Sequence, residues 1–67
     1  METILGTKFY KLEDAYKAGI KRTKDGGTLY VYSQPCVNGL FVDWILSGLK
    51  YNNINPTYII TNGKLEN

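Results

Sequence analysis

Cys36 is the only cysteine in this chain of 67 residues, and a cysteine can serve as a nucleophile. A cysteine nucleophile reacts as the thiolate, which a neighbouring base such as histidine usually generates. The sequence contains no histidine, so it lacks the side chain whose ordinary pKa lies near neutrality. A nearby predicted helix N-terminus could lower the pKa of Cys36. Without a base, however, we interpret this cysteine as a small packing residue.

The six carboxylates are scattered and form no obvious acid–base pair. Glu13 and Asp14 are adjacent, so on a helix they cannot face a common point, and we interpret them as favourable charge in a first turn. Asp43 stands alone in an apolar run, where it marks either a solvent-facing side or a contact with a partner. One cysteine without histidine cannot form a tetrahedral zinc site. We therefore predict a protein that is not an enzyme and that holds no cofactor or metal.

Lys17, Lys21 and Lys24 are spaced to lie on one face of a helix, with Arg22 beside them. A row of cations at this spacing is typical of a surface that contacts nucleic-acid phosphates. It is equally typical of a solvated amphipathic helix, and the formal net charge of +2 is small. Residues 25–28 are rich in glycine, but they follow a helix and precede a strand, which is the reverse of a phosphate loop.

Six tyrosines point to an interaction surface. Tyr30 and Tyr32 share one face of a predicted strand, and Tyr10 and Tyr58 could flank them on neighbouring strands. Exposed tyrosines contribute contact area at protein interfaces at a small cost in side-chain entropy. With basic residues nearby they also suit stacking on single-stranded bases. The third interpretation is that they cover the edges of a small core and keep their hydroxyls in water.

Regular elements must position these side chains. The clearest helix runs from Leu12 to Thr23, because its apolar residues recur on one face. The strongest strand covers residues 28–33, which are β-branched and aromatic, and residues 3–10 and 57–61 are further predicted strands. Asn62-Gly63 is a type I′ hairpin signal, after which only a very short return strand or a frayed tail fits.

The stretch from Val37 to Tyr51 holds the only tryptophan and admits two interpretations. As a helix capped by Asn38, it gathers one apolar stripe of Val37, Leu40, Phe41, Trp44, Ile45, Gly48 and Leu49. As a strand over residues 40–46, it presents one side formed by Leu40, Val42, Trp44 and Leu46. We favour the helix, because the helical pattern runs for thirteen residues and the alternation for seven. If the stretch is a helix, Val42 and Leu46 lie outside its apolar stripe and could contact a second chain. If it is a strand, the tyrosine-bearing face of the sheet is the better candidate for a binding surface.

The predicted fold class is α+β, with a single domain over residues 1–67 in the order strand, helix, strand, helix, strand. Crossover connections imply largely parallel pairing. The simplest product is a three-stranded sheet with two helices packed on one face. The other face would be open and would carry the tyrosines.

The expected function is a small non-enzymatic protein that binds another protein through an apolar, tyrosine-rich surface. The expected binding residues are Tyr30, Tyr32, Tyr58, Val42, Asp43 and Leu46. We also expect a homo-oligomer, because so short a chain buries little area alone. The alternative is a nucleic-acid-binding protein that combines tyrosine stacking with a basic helix face formed by Lys17, Lys21, Arg22 and Lys24.

The composition bears on the setting of the protein. A single cysteine and the lack of a signal-peptide pattern favour a cytoplasmic location, and no apolar run is long enough to cross a membrane. Phe, Tyr, Met, Ile, Asn and Lys total 28 residues, against 12 for Gly, Ala, Arg and Pro, which is a bias toward AT-rich codons. The expectation is therefore a modulator or inhibitor of a host protein that a phage or mobile element encodes.

Overall fold

A computed structural model describes residues 4–36, 39 and 41–66. In that part of the chain, one helix and five strands follow one another in the order β1-α1-β2-β3-β4-β5. Their bounds are β1 Thr7–Phe9, α1 Leu12–Arg22, β2 Thr28–Pro35, β3 Val42–Ser47, β4 Tyr58–Thr61 and β5 Lys64–Glu66. The strands form one antiparallel sheet in the order β1-β3-β2-β4-β5.

The predicted three-stranded, largely parallel sheet with two helices on one face is wrong. The first predicted helix is present as α1, but the second is strand β3, which pairs with β2 from Pro35↔Val42 to Tyr30↔Ser47. Because β2 and β3 are antiparallel neighbours, no crossover joins them. The predicted cap at Asn38 and the predicted stripe positions Val37 and Leu40 lie outside the described residues.

Strand β3 has apolar residues on both faces, which explains the wrong helix. Trp44 and Leu46 pack on the side of α1, whereas Ile45 packs on the opposite side with Ile4 and Tyr32. A strand that is covered on both faces carries a continuous apolar run rather than an alternating one. Such a run also matches a helical stripe, so periodicity alone cannot separate the two structures.

Helix α1 covers one face of the sheet and packs on a core of Ala15, Val31, Leu46 and Ile60. Gly19 allows this close approach, because a Cβ at that position would overlap Cδ1 of Ile60. At the end of the helix, the buried Thr23 hydroxyl donates to the Gly19 carbonyl and accepts from the Gly63 N–H, each at 2.9 Å. The helix is thereby tied to the turn between β4 and β5.

That turn agrees with the sequence prediction. Asn62 and Gly63 both have positive φ, at 51° and 78°, as a type I′ turn requires. Strand β5 is the short return strand that the pattern allows, and its three residues form the edge of the sheet.

The face of the sheet opposite α1, termed the lower face, is covered by chain segments without a helix. Ile4, Tyr32 and Ile45 are buried there. The Tyr32 hydroxyl donates to the Leu49 carbonyl and accepts from the Tyr51 N–H, each at 3.0 Å. The Tyr51 hydroxyl in turn accepts from the Leu5 N–H at 2.9 Å. These bonds fasten the segment before β1 and the loop after β3 to the sheet.

The Tyr32 hydroxyl therefore contributes to the stability of the lower face. Replacement by Phe leaves the Leu49 carbonyl and the Tyr51 N–H without their partner, and we expect the free energy of unfolding to fall by about 1–3 kcal/mol. Tyr51→Phe removes a single bond to an exposed N–H, and we expect a loss of about 1 kcal/mol or less. Urea denaturation of both variants measures the difference. A smaller loss for Tyr32→Phe than for Tyr51→Phe would contradict this account.

Candidate functional site

A groove of about 510 Å³ lies on the lower face, at the end of the sheet where β2 ends and β3 begins. We term it the hairpin-end groove. It combines residues from the segment before β1 with residues from β1, β2 and β3. The lining residues are Ile4, Leu5, Gly6, Lys8, Gln34, Pro35, Cys36, Asp43 and Ile45.

Antiparallel register brings the polar groups of the groove together. Lys8 pairs with Ile45 across β1 and β3, and Gln34 pairs with Asp43 across β2 and β3. Residues at every second position of a strand share a face, so Asp43 and Ile45 both point to the lower face. Gly6 lets the preceding segment pass close to β3, because a Cβ there would overlap the carbonyl oxygen of Leu46.

Asp43 is the charged residue of the groove that makes the most polar contacts. Its Oδ2 lies 3.7 Å from Nζ of Lys8 and accepts a hydrogen bond from Sγ of Cys36 at 3.5 Å. The Asp43 side chain is 22% exposed, whereas that of Lys8 is 68% exposed. An ammonium group has three donors, so Lys8 can contact Asp43 and still bind an acceptor from outside.

Burial raises the pKa of the Cys36 thiol, and its hydrogen bond to Asp43 and the negative charge of that carboxylate raise it further. The positive charge of Lys8 acts in the opposite direction and is the smallest of these effects. Because a thiolate is the reactive form of cysteine, these surroundings disfavour nucleophilic chemistry at neutral pH. The thiol acts here as a hydrogen-bond donor.

Large apolar side chains are exposed beside the groove. Leu5 is 64% exposed and Phe41 is 53% exposed. The Cys36 N–H donates to the Phe41 carbonyl at 2.8 Å, which places Phe41 directly across from Cys36 at the end of the hairpin. Val42, at the start of β3 opposite Pro35, is 40% exposed. Apolar side chains and an exposed cation thus share this end of the molecule.

The structure does not bring the predicted tyrosines together on one open surface. Tyr32 has no exposed surface, and Tyr30 is half-buried beside it, with ring centroids 6.2 Å apart. Tyr58 lies on the opposite face of the sheet, where its ring packs edge-on against Tyr16 at 5.8 Å. Tyr10 is highly exposed but follows the end of β1.

The other predicted binding residues also do not share one surface. Asp43 lines the hairpin-end groove and Val42 is exposed at the same end, but Leu46 is buried beneath α1. Leu5 and Lys8 were not predicted from the sequence as site residues. The alternation of Lys8 with Phe9 carried a signal that Lys8 faces away from the helix, but only the register with β3 places it beside Asp43.

An ion pair within α1 interrupts the predicted row of cations on the helix. Nζ of Lys17 lies 3.1 Å from Oε1 of Glu13, and this hydrogen bond, together with the charge of Glu13, raises the pKa of Lys17. Lys21, Arg22 and Lys24 are exposed at the C-terminal end of α1, away from that pair. Arg22 donates from Nη1 to Oγ1 of Thr7 at 3.2 Å.

The fold and the groove define a small α+β protein built on one five-stranded antiparallel sheet. Among residues 4–36, 39 and 41–66, no three side chains of the types that ligate metals lie close enough to share an ion. The same residues contain no helix long and apolar enough to cross a membrane. No protein-family model matches the chain, and comparison with curated proteins and with solved structures finds no significant match.

The effect of Asp43 on the pKa of the Cys36 thiol can be measured. Asp43→Asn removes the negative charge beside Cys36, so we expect the pKa of Cys36 to fall and the pH profile of iodoacetamide alkylation to move to lower pH. Lys50→Gln, a charge change outside the groove, serves as the control and should leave the profile in place. A profile for Asp43→Asn that is unchanged or moved to higher pH would contradict the assigned contact.

Proposed function

We propose that this protein is a non-enzymatic binding protein that receives an extended segment of a partner protein in the hairpin-end groove. The observation that carries the proposal is that exposed Leu5 and Lys8 line one groove, with exposed Phe41 across from its lining residue Cys36. Exposed apolar side chains gathered at a groove are typical of interaction sites. The groove is open to solvent, which suits a chain segment better than a small molecule that must be largely enclosed.

The charges in the groove favour a particular partner chemistry. Asp43 already interacts with both Lys8 and Cys36, whereas the exposed ammonium of Lys8 retains donors. A carboxylate from the partner would therefore pair with Lys8, and an apolar side chain next to it would cover Leu5 and Phe41. The formal net charge of +2 also favours the approach of an acidic segment.

Binding of this kind would act by covering a surface of the partner. We include in the proposal the role of a modulator or inhibitor of a host protein, encoded by a phage or mobile element. The small size of the chain and its bias toward AT-rich codons support this role. A cytoplasmic setting is part of the same proposal, because a lone cysteine persists most readily as a thiol in a reducing compartment.

Selection from a random peptide library tests the proposed partner chemistry. We expect the wild-type protein to enrich peptides in which a carboxylate stands next to a large apolar residue. Leu5→Asp and Lys8→Gln should each weaken a selected peptide about tenfold, because each removes one of the two proposed contacts. Fluorescence anisotropy of labelled peptides measures the dissociation constants.

Leu49→Asp is the matched control, because Leu49 is 52% exposed and follows the far end of β3. Its affinity for the peptide should equal that of the wild type. Enrichment of basic peptides, no enrichment, or equal losses in all three variants would overturn the proposal. Light scattering on the same samples identifies the case in which a second copy of this chain occupies the groove.

A further inference from the structure

A second cleft lies at the opposite end of the sheet, beside the C-terminus of α1. Its volume is about 410 Å³, and it shares no lining residue with the hairpin-end groove. We term it the basic-end cleft. The residues that line it are Thr7, Arg22, Thr23, Gly26, Gly27, Thr28, Leu29, Leu46 and Gly48.

Positive charge dominates this end of the molecule. Residues 21–28 and 61–64 carry four cations and one carboxylate, which gives a formal charge of +3 against +2 for the whole chain. The cations are Lys21, Arg22, Lys24 and Lys64, and all four are exposed. The carboxylate is Asp25.

Pairing in the sheet places Lys64 two strands away from Thr28. Thr28, which lines the cleft, pairs with Thr61 of β4, and Thr61 pairs with Lys64 of β5. Lys24 lies beside Gly63, the residue before Lys64. The cations therefore come from the end of the helix and from the last hairpin, and of the four Arg22 lines the cleft.

Arg22 supplies the central donor. Its Nη1 donates to Oγ1 of Thr7 at 3.2 Å, which holds the guanidinium at the cleft. Among the described residues, no carboxylate lies within ion-pair distance of Arg22. A guanidinium has five N–H donors in a planar fork, and this geometry matches the oxygens of a phosphate.

The loop after the helix contributes residues to the lining of the cleft. Gly26 and Gly27 have positive φ, at 115° and 99°, and neither carries a side chain into the cleft. The backbone of this loop and the Arg22 guanidinium thus line one space.

The partial negative charge at a helix C-terminus opposes an anion. Here the Gly19 carbonyl accepts from both the N–H and the hydroxyl of Thr23, at 3.1 and 2.9 Å. The Thr23 carbonyl accepts from the Gly26 N–H at 3.0 Å. These bonds satisfy the Gly19 and Thr23 carbonyls. The four full positive charges at this end also exceed the roughly half charge of a helix end.

We propose that the basic-end cleft binds a phosphate group, with Arg22 as its main contact and the three lysines as the surrounding positive field. The phosphate is either a free ion or a group on the backbone of a nucleic acid, because both present the same oxygens to arginine. This site is separate from the hairpin-end groove, so its failure in a test would leave the proposed function standing.

Titration of the ¹⁵N-labelled protein at low salt tests the site. Inorganic phosphate is the first probe, and single-stranded oligothymidylate of about ten nucleotides is the second, a length within the range that small folds cover. We expect the amide signals of Gly26, Gly27 and Thr28 to shift. Arg22→Gln should weaken binding at least tenfold, and Arg22→Lys should weaken it less, because it keeps the charge but loses the fork.

Lys11→Gln is the matched control, because it removes one exposed charge just before the start of α1. It should bind as the wild type does. Shifts with both probes, with tighter binding of the oligonucleotide, identify nucleic acid as the source of the phosphate, and shifts with phosphate alone identify a free ion. No shift at these amides with either probe, or equal affinity in Arg22→Gln and wild type, would overturn the proposal.

Discussion

The buried hydroxyl of Tyr32 is the constraint on which the lower face depends. A five-stranded sheet with one helix has a second face to cover, and this chain covers it with Ile4 and the loop that contains Tyr51. Neither segment has regular hydrogen bonds of its own, and an unsatisfied polar group beneath them would be costly. The single hydroxyl of Tyr32 satisfies two backbone groups of the loop, because it donates to one and accepts from the other.

The hairpin-end groove follows from that arrangement. The Tyr51 hydroxyl accepts from the Leu5 N–H, so the loop helps to fix the segment before β1 on the lower face. The groove is the space left between this segment and the end of the β2–β3 hairpin. Stability and the candidate site therefore depend on the same tyrosines, although these residues do not themselves form the exposed surface.

The two ends of the sheet differ in charge chemistry. At the hairpin end, the charges of Lys8 and Asp43 offset each other, and the other large exposed side chains are apolar. At the other end, Arg22 and three exposed lysines lie around the end of the helix and in the last hairpin. One small sheet thus presents an apolar surface with a single available cation at one end and a mainly electrostatic surface at the other.

The sequence predicted the elements whose signals are local. The helix from Leu12, the strand from Thr28 and the turn at Asn62-Gly63 each rest on periodicity or turn chemistry within a few residues. Strand β3 was assigned wrongly, because burial on both faces removes the alternation that distinguishes a strand. The groove could not be predicted, since Lys8, Gln34 and Asp43 come together only through the register of three strands.

We propose that a partner segment occupies the hairpin-end groove. The most direct test of this proposal is a ¹⁵N chemical-shift map of the protein titrated with a peptide that carries a carboxylate next to a large apolar residue. We expect the perturbed amides to cluster at Leu5, Lys8, Gln34 and Cys36. Perturbations that cluster along α1 or at Gly26 and Gly27 would contradict it.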